Sequence, residues 1–301
     1  MTGAHAPPVL LAVPNFSEGH DAAVLEAIAD ALAPRSGPVR ELDRHVDADH
    51  GRAVFTLAAC QGVIASALVA GARAAVEHID LRSHAGRHPH VGALDVAPVV
   101  YLEDADRGAA CAEALTAAAL IGEELEIPVF LYGRLATDER HRERADLRRG
   151  GPPRLAERLA SGELRPDYGP ARAHPSAGAL LVSARPPLLA FNVDLVSDDV
   201  ELARRIAAGL RESGGGLPGV RAIGLHLPAR GRAQVSTNVH DHRSVPLSAI
   251  VAAVAAEAEV AEVELVGLAP AAALEGFPAD VPLRAFDPER HVIENALRSD
   301  S

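Results

Sequence analysis

Val39-Arg40-Glu41-Leu42-Asp43-Arg44-His45-Val46 runs through Asp47-Ala48-Asp49-His50-Gly51 into Arg52-Ala53-Val54-Phe55-Thr56-Leu57-Ala58-Ala59. Two β-rich runs flank a cluster of turn formers, so the stretch reads as two consecutive strands around a polar turn. Working outward, residues 9–13 form a short apolar strand and 21–33 a helix stopped by Pro34. Ser17 stands in the turn between them as an N-cap. Beyond the strand pair, 61–78 forms a helix, 97–102 a strand, 106–125 a third helix and 127–132 a β-rich closing stretch. Strand, helix, strand, strand, helix, strand is the split βαβ order of ferredoxin-like folds.

Residues 134–163 are dense in arginine and glutamate and read as a solvated helical connector, and 167–178 is a Gly/Pro-rich loop. The same six-element order then returns: strand 188–195, helix 198–212 with Asp198-Asp199 in its first turn, strands 220–227 and 232–240, helix 248–259 and strand 263–268. The expectation is an α+β chain of two ferredoxin-like βαββαβ subdomains, 1–178 and 179–301, with the site between them.

The chain has 301 residues, a formal net charge of -12 and no lysine, so all 29 basic residues are arginine. The missing amine excludes a Schiff base, a PLP lysine and a Walker-type phosphate loop. An acidic chain argues against nucleic acid, whose phosphates need neutralising. Cys60 and Cys111 have no metal-like spacing and read as small buried apolar residues. No apolar run is long enough to span a membrane, and the N-terminus lacks the positive region of a signal peptide. A cytoplasmic protein, away from nucleic acid and membranes, is the expectation from composition.

Unusual polar residues concentrate in Arg82-Ser83-His84-Ala85-Gly86-Arg87-His88-Pro89-His90-Val91-Gly92. Histidine exchanges protons near neutral pH, and glycine lets backbone approach a ligand closely. A histidine-bearing surface loop is the plain alternative. A metal site built from His84, His88, His90 and Asp47 or Asp49 ranks below acid–base chemistry, because Pro89 disfavours helical backbone at His88. Asp43, His45, Asp47, Asp49, His50 and Arg52 form a second concentration, which an ordinary turn also explains. A third, Val13-Pro14-Asn15-Phe16-Ser17-Glu18-Gly19, lies at the C-terminal end of a strand.

Together these segments resemble the formiminotransferase family. Residues 13–19 match its N-terminal signature. His84 to Val96 resembles the motif holding its catalytic histidine, which falls on His88. Pro166-Asp167-Tyr168-Gly169-Pro170 and His174-Pro175-Ser176-Ala177-Gly178 match its folate loop. Leu189-Ala190-Phe191-Asn192-Val193, Ala233-Gln234-Val235-Ser236-Thr237-Asn238 and Glu264-Leu265-Val266-Gly267-Leu268 follow in family order. The resemblance implies a homodimeric enzyme on small-molecule substrates, transferring a formimino group from N-formimino-L-glutamate to tetrahydrofolate, a co-substrate, with no metal. The alternatives are a related folate-dependent formyl- or formimidoyltransferase acting on a different amine donor or acceptor, and a non-catalytic folate-binding relative. It makes His88 the proton shuttle. Asn15, Asp47, Asp49, Arg52 and Arg87 become substrate-binding residues, with the arginines on the glutamate carboxylates and Asp47 or Asp49 beside the formimino cation. Gly169, Pro170, His174, Pro175, Ser176 and Gly178 hold the folate. The chain ends before a cyclodeaminase domain could begin, which implies the monofunctional form. Two positions depart from the pattern: Gly51 stands where the family often has asparagine, and His90 where it commonly has arginine. Asparagine tolerates positive φ, so Gly51→Asn is expected to leave the turn folded and to improve turnover of formiminoglutamate.

Overall fold

The structure is a computed structural model and describes residues 7–84, 86 and 88–299. The chain divides into two compact units between Pro186 and Pro187. In the first lie β1 (Val9–Ala12), β2 (Asn15–Phe16), α1 (Ala22–Leu32), β3 (Arg40–Asp47), β4 (Arg52–Cys60), α2 (Ile64–His78), β5 (Leu94–Val100), α3 (Arg107–Glu124), β6 (Val129–Leu131), α4 (Arg144–Arg148), α5 (Gly151–Ala160) and β7 (Leu180–Arg185). The second holds β8 (Leu189–Leu195), α6 (Val200–Leu210), β9 (Val220–Leu227), β10 (Arg232–Val239), α7 (Leu247–Ala255), β11 (Val260–Val266), α8 (Pro288–His291) and α9 (Ile293–Ala296).

The quoted strand pair is present as β3 and β4, joined antiparallel with Asp47 opposite Arg52. β4 also pairs antiparallel with β1 and β2, and β1 pairs with β5, so four segments of the chain run β3-β4-β1-β5 across the sheet. The second unit repeats this neighbour scheme as β9-β10-β8-β11, all antiparallel. β1 and β2 are one strand interrupted at Val13 and Pro14, the proline having no N–H to give the ladder.

The first sheet is longer than the six-element scheme implies. β7 pairs parallel with both β5 and β6 and belongs to the first unit, which therefore ends one strand later than the expected boundary after Gly178. Its apolar run, Leu180-Leu181-Val182, is buried throughout, as parallel strands covered on both faces are. Val129, Leu131, Leu180, Val182 and Ala97 face a core with Leu25, Ile28 and Leu32 of α1 and Leu68, Ala72 and Ala75 of α2. Phe16 and Phe55 meet edge-to-face at its centre, 5.4 Å apart.

The alternate residues Val96, Phe130 and Leu181 face a second cluster with Leu147, Leu155, Leu159 and Leu164. The arginine-rich segment 134–163 is therefore not a solvated connector. It is a lid over the opposite face of β5, β6 and β7, and its leucines, diluted among charges, carry the packing. Phe191, Val193 and Leu195 pack on Ile206, Leu210, Ile250 and Val254 in the second unit. Cys60 is exposed at the last position of β4 and Cys111 half-buried, against the expectation that both are buried.

Helix ends differ from the sequence reading where side chains decide them. Asp21, not Ser17, caps α1, accepting from Ala23 N and Val24 N, while buried Ser17 donates to the Gly92 carbonyl at 2.7 Å. Asp199 caps α6 from outside the helix. Nothing at the N-terminus of α2 caps it locally. Buried Glu113 of α3 does so instead, accepting from Gly62 N at 2.6 Å and Ala65 N at 2.8 Å. Glu113→Ala strands both N–H groups and is expected to lower stability by about 1–3 kcal/mol in urea unfolding.

Candidate active site

Asp95 stands second in β5 with no exposed surface. Its Oδ1 accepts from Val91 N at 2.9 Å, and its Oδ2 lies 3.0 Å from Arg52 Nη1 and in contact with Arg148 Nη2. Burial raises the carboxyl's pKa, but Arg148, Arg52 and the Val91 N–H outweigh it and hold the group below its ordinary value. Arg52, the first residue of β4, is buried with it. Burial, opposed by Asp95 and reinforced by Arg148, brings Arg52 down to about 10.

The remaining donors of Arg52 organise the site. Nε and Nη2 reach Asn15 Oδ1 at 3.0 and 2.8 Å, a fork on one oxygen, while Asn15 Nδ2 donates to Val13 O. Nη1 lies 2.9 Å from His88 Nδ1. The same Nδ1 is 2.9 Å from the Pro89 carbonyl oxygen. A guanidinium only donates and a carbonyl only accepts, so the two contacts favour opposite tautomers of the ring. With its proton on Nδ1, shared with Pro89, His88 offers a basic Nε2. With Arg52 donating to Nδ1, Nε2 carries the proton instead. His88 is half-buried, and burial, Arg52, Arg148 and His50 in that order hold its pKa well below the imidazole norm, against the Pro89 carbonyl.

The turn between β3 and β4 brings His50 to this group. Its N–H donates to Asp47 Oδ1 at 2.8 Å, its carbonyl accepts from His88 N at 3.4 Å, and the two rings are 5.9 Å apart. Asp47 thus serves the turn with one oxygen, and Asp49 is half-buried in the same turn. Gly51 has φ 60°, as a turn position of this kind requires, and a Cβ there would lie 2.6 Å from the Gly86 Cα. Room is therefore missing for the asparagine that φ alone would admit. Gly19 is equally tight, since its Cβ would meet the Asp47 carbonyl at 2.4 Å, and this explains the glycine ending the 13–19 segment. His84 and His90 stack edge-to-face at 4.5 Å, on the same loop as His88.

The loop expected to hold folate is stitched to the histidine loop by Leu81 N to Ser176 O, Ala93 N to Ala177 O and Ala179 N to Val91 O, each 2.9 Å. His174 and Gly178 exchange backbone hydrogen bonds, and His174 Nδ1 accepts from Ala177 N at 3.0 Å. That imidazole nitrogen is engaged within the loop. Burial lowers the His174 pKa, with Glu126 opposing and Arg172 adding to it. At the other end Gly169 packs on Gly122 of α3 and the Ile127 carbonyl. Pro170 is half-buried and Pro175 exposed. Asp167, just before, accepts from Leu131 N at 2.8 Å and from Thr137, with His141 Nδ1 at 3.4 Å.

The structure therefore joins Asn15, Asp47, Arg52 and His88 into one network, and ties Ser176 and Gly178 to the histidine loop. Arg87 lies outside the described residues. Asp95 and Arg148 are absent from the set read in the sequence. A lone acid within the apolar run Leu94-Asp95-Val96-Ala97 is the available signal, and the expected strand, 97–102, leaves it out, whereas β5 begins at Leu94. Arg148 was lost among the charges of the connector.

Comparison with known proteins places the whole chain. Residues 9–185 match the formiminotransferase domain, N-terminal subdomain, and residues 190–277 the formiminotransferase domain. The chain belongs to the formiminotransferase family. It is 37% identical to the glutamate formimidoyltransferase of Streptococcus pyogenes serotype M1, over 95% of this chain and 97% of that one. The Thermoplasma acidophilum glutamate formimidoyltransferase is 35% identical, over 95% and 96% of the two chains. The Rattus norvegicus formimidoyltransferase-cyclodeaminase is 37% identical over 87% of this chain, which spans 50% of that protein. No helix among the described residues is long and apolar enough to cross a membrane.

Two outcomes follow from the geometry. Asp95→Ala leaves two guanidinium groups beside an empty buried position and is expected to cost roughly 3–5 kcal/mol in urea unfolding. Gly51→Asn is expected to lower kcat/KM, reversing the expectation from the sequence, because its Cβ displaces the backbone of the histidine loop; a rise in kcat/KM refutes the steric argument.

Proposed function

We propose that this protein transfers a formimino group from N-formimino-L-glutamate to tetrahydrofolate, with His88 moving the protons. The observation that carries this reading is the contact of His88 Nδ1 with both Arg52 and the Pro89 carbonyl, in a ring whose pKa is held low. The reduced pteridine nitrogen attacks the amidine-like carbon, a tetrahedral adduct forms, and the glutamate nitrogen departs with the electron pair of the broken C–N bond. One proton must leave the attacking nitrogen and one must reach the departing nitrogen. With Nδ1–H directed at Pro89, Nε2 takes the first. The imidazolium so formed lies beside Arg52 and within the field of Arg148, so it is a strong acid and readily gives the proton to the leaving nitrogen.

In this reading Arg52 and Asn15 are positioning residues. The donors of Arg52 are engaged by Asn15 and Asp95, with Nη1 beside His88, which leaves the substrate carboxylates to other groups. Asp47 or Asp49 stands beside the formimino cation, with Asp47 Oδ1 also accepting from the His50 N–H. Residues 169–178 cover the pteridine, with Gly169, Pro170, Pro175, Ser176 and Gly178 contributing surface and backbone. The backbone bonds from this loop to Leu81, Val91 and Ala93 support that assignment.

The test is conversion of formiminoglutamate and tetrahydrofolate to glutamate and formimino-tetrahydrofolate by the purified protein. His88→Ala is expected to lower turnover roughly 10²-fold or more, with folate affinity little changed. His84→Ala and His90→Ala should cost less, and near-normal turnover in folded His88→Ala removes the assignment.

The low pKa of His88 sets the pH dependence. Its neutral form persists below the ordinary histidine value of about 6.5, so the acid limb of kcat/KM should lie below that pH. Arg148→Gln, which removes one of the charges depressing it, should move the limb upward. Between the folded-state pKa and about 6.5 the unfolded chain binds more protons at this residue than the folded one. The His88 contribution to stability is therefore present above that window and declines as pH falls through it.

A further inference from the structure

With Arg52 engaged internally, other cations of the first unit come into question for an anionic substrate. Tyr132 directly follows β6, Arg185 ends β7, and Arg144 begins α4. β6 and β7 are neighbouring parallel strands, so Tyr132 and Arg185 emerge together at their C-terminal ends, where ligands bind in sheets of this kind. Arg144 Cζ sits 5.6 Å from the centre of the Tyr132 ring.

Among the described residues, neither Arg144 nor Arg185 forms a direct ion pair with a carboxylate, although Asp95 and Glu143 act on Arg144 from a distance. Asp95, the carboxylate nearest in the network, is already shared by Arg52 and Arg148. Arg185 Nη1 donates to the Pro186 carbonyl at 3.0 Å, while its Nε is buried without a partner. Tyr132 is buried, and although its hydroxyl is within reach of Arg185, it makes no well-formed hydrogen bond. Arg144 is close enough to Arg148 and Asp95 to feel both, which makes the group continuous with the support of His88; Glu143, exposed on the same helix edge, also acts on it. Both arginines are half-buried, yet burial is the largest influence on each, bringing Arg185 down to about 10 and lowering Arg144 as well. The geometry agrees with a shared position: Arg144 lies over the Tyr132 ring, and Arg185 Nε is buried without a partner.

We infer that Arg144, Arg185 and Tyr132 form an anion subsite for a glutamyl carboxylate of the substrates. Guanidinium charge partly withdrawn from water and left without an ion pair favours an anion, and a carboxylate supplies both the charge and the planar pair of acceptors an arginine fork fits. The Tyr132 hydroxyl adds a donor from a rigid ring. The inference deepens the proposed function and rests on it for the identity of the ligand. A glutamyl carboxylate is present both in formiminoglutamate and in the tail of tetrahydrofolate, so the two sources need separate arms.

The experiment uses the full chain with Arg144→Gln, Arg185→Gln and Tyr132→Phe, the last removing one hydroxyl and little packing. Binding of glutarate is measured by calorimetry, and KM is measured for formiminoglutamate, for tetrahydrofolate and for tetrahydropteroate, which lacks the glutamyl group. Each arginine variant is expected to weaken glutarate binding, and to raise KM for the glutamyl substrate it serves, roughly 10- to 100-fold, the effect falling on KM more than on kcat. Tyr132→Phe should lose several-fold in the same quantities. A rise confined to formiminoglutamate assigns the subsite to the donor. A rise for tetrahydrofolate without one for tetrahydropteroate assigns it to the folate tail. Unchanged glutarate affinity and unchanged KM values in folded variants overturn the subsite. If the unsubstituted protein fails to turn over formiminoglutamate, the proposed function falls, and the glutarate arm still decides whether the subsite exists.

Discussion

The carboxylate of Asp95 is the group on which the architecture of the site depends. It has no solvent-exposed surface, and three donors from three different places in the chain converge on it: Arg52 from β4, Arg148 from α4 and the Val91 N–H from the histidine loop. An unpaired charge at that depth would be strongly destabilising, so the four segments must assemble together. The pairing is weak evidence for stability as such, because desolvation offsets much of the attraction. Its effect is geometric. It holds Arg52 where one donor meets His88 and two more meet Asn15, and it thereby sets the position and the charge environment of the ring.

The same ion network gives His88 its acid–base character. A histidine on an open loop would titrate near its ordinary value and share its protons with water. Beside two guanidinium groups and the His50 ring it stays neutral over a wider pH range and, once protonated, is a strong acid. The Pro89 carbonyl and Arg52 compete for one nitrogen, so the backbone at the His-Pro pair and the β4 arginine together determine which tautomer is present. Two rigid elements, β4 and β5, supply Arg52 and Asp95, and a loop carries the imidazole. Backbone bonds tie residues 176–179 to Leu81, Val91 and Ala93, on and beside the histidine loop.

Much of this was legible from local patterns. The β3–β4 hairpin followed from turn formers between β-rich runs, and the repeated six-element order appeared as the same strand-neighbour scheme in both units. His88, Arg52 and Asn15 were marked by dense polar residues at strand ends. What escaped was set by partners distant in sequence. Helix α2 takes its cap from Glu113, some fifty residues on. Ser17 looked like a cap and instead ties to Gly92, which no local rule anticipates. The Gly51 turn was read correctly for φ, but the obstacle to a side chain there is the Gly86 backbone across a gap in sequence.

The sequence by itself determined the order and type of most elements, the family, and which histidine stands in the position of interest. Those properties are carried by periodicity, turn chemistry and contiguous motifs. The tertiary structure alone decided the roles of the charged residues. An arginine reads the same in sequence whether it lies in solvent, as Arg149 does, or on a buried carboxylate, as Arg148 does one position before it. Which it becomes depends on the direction of a helix one and a half turns long and on a strand more than fifty residues away, because electrostatic energy is set by distance and burial, and neither is a property of the chain read in order.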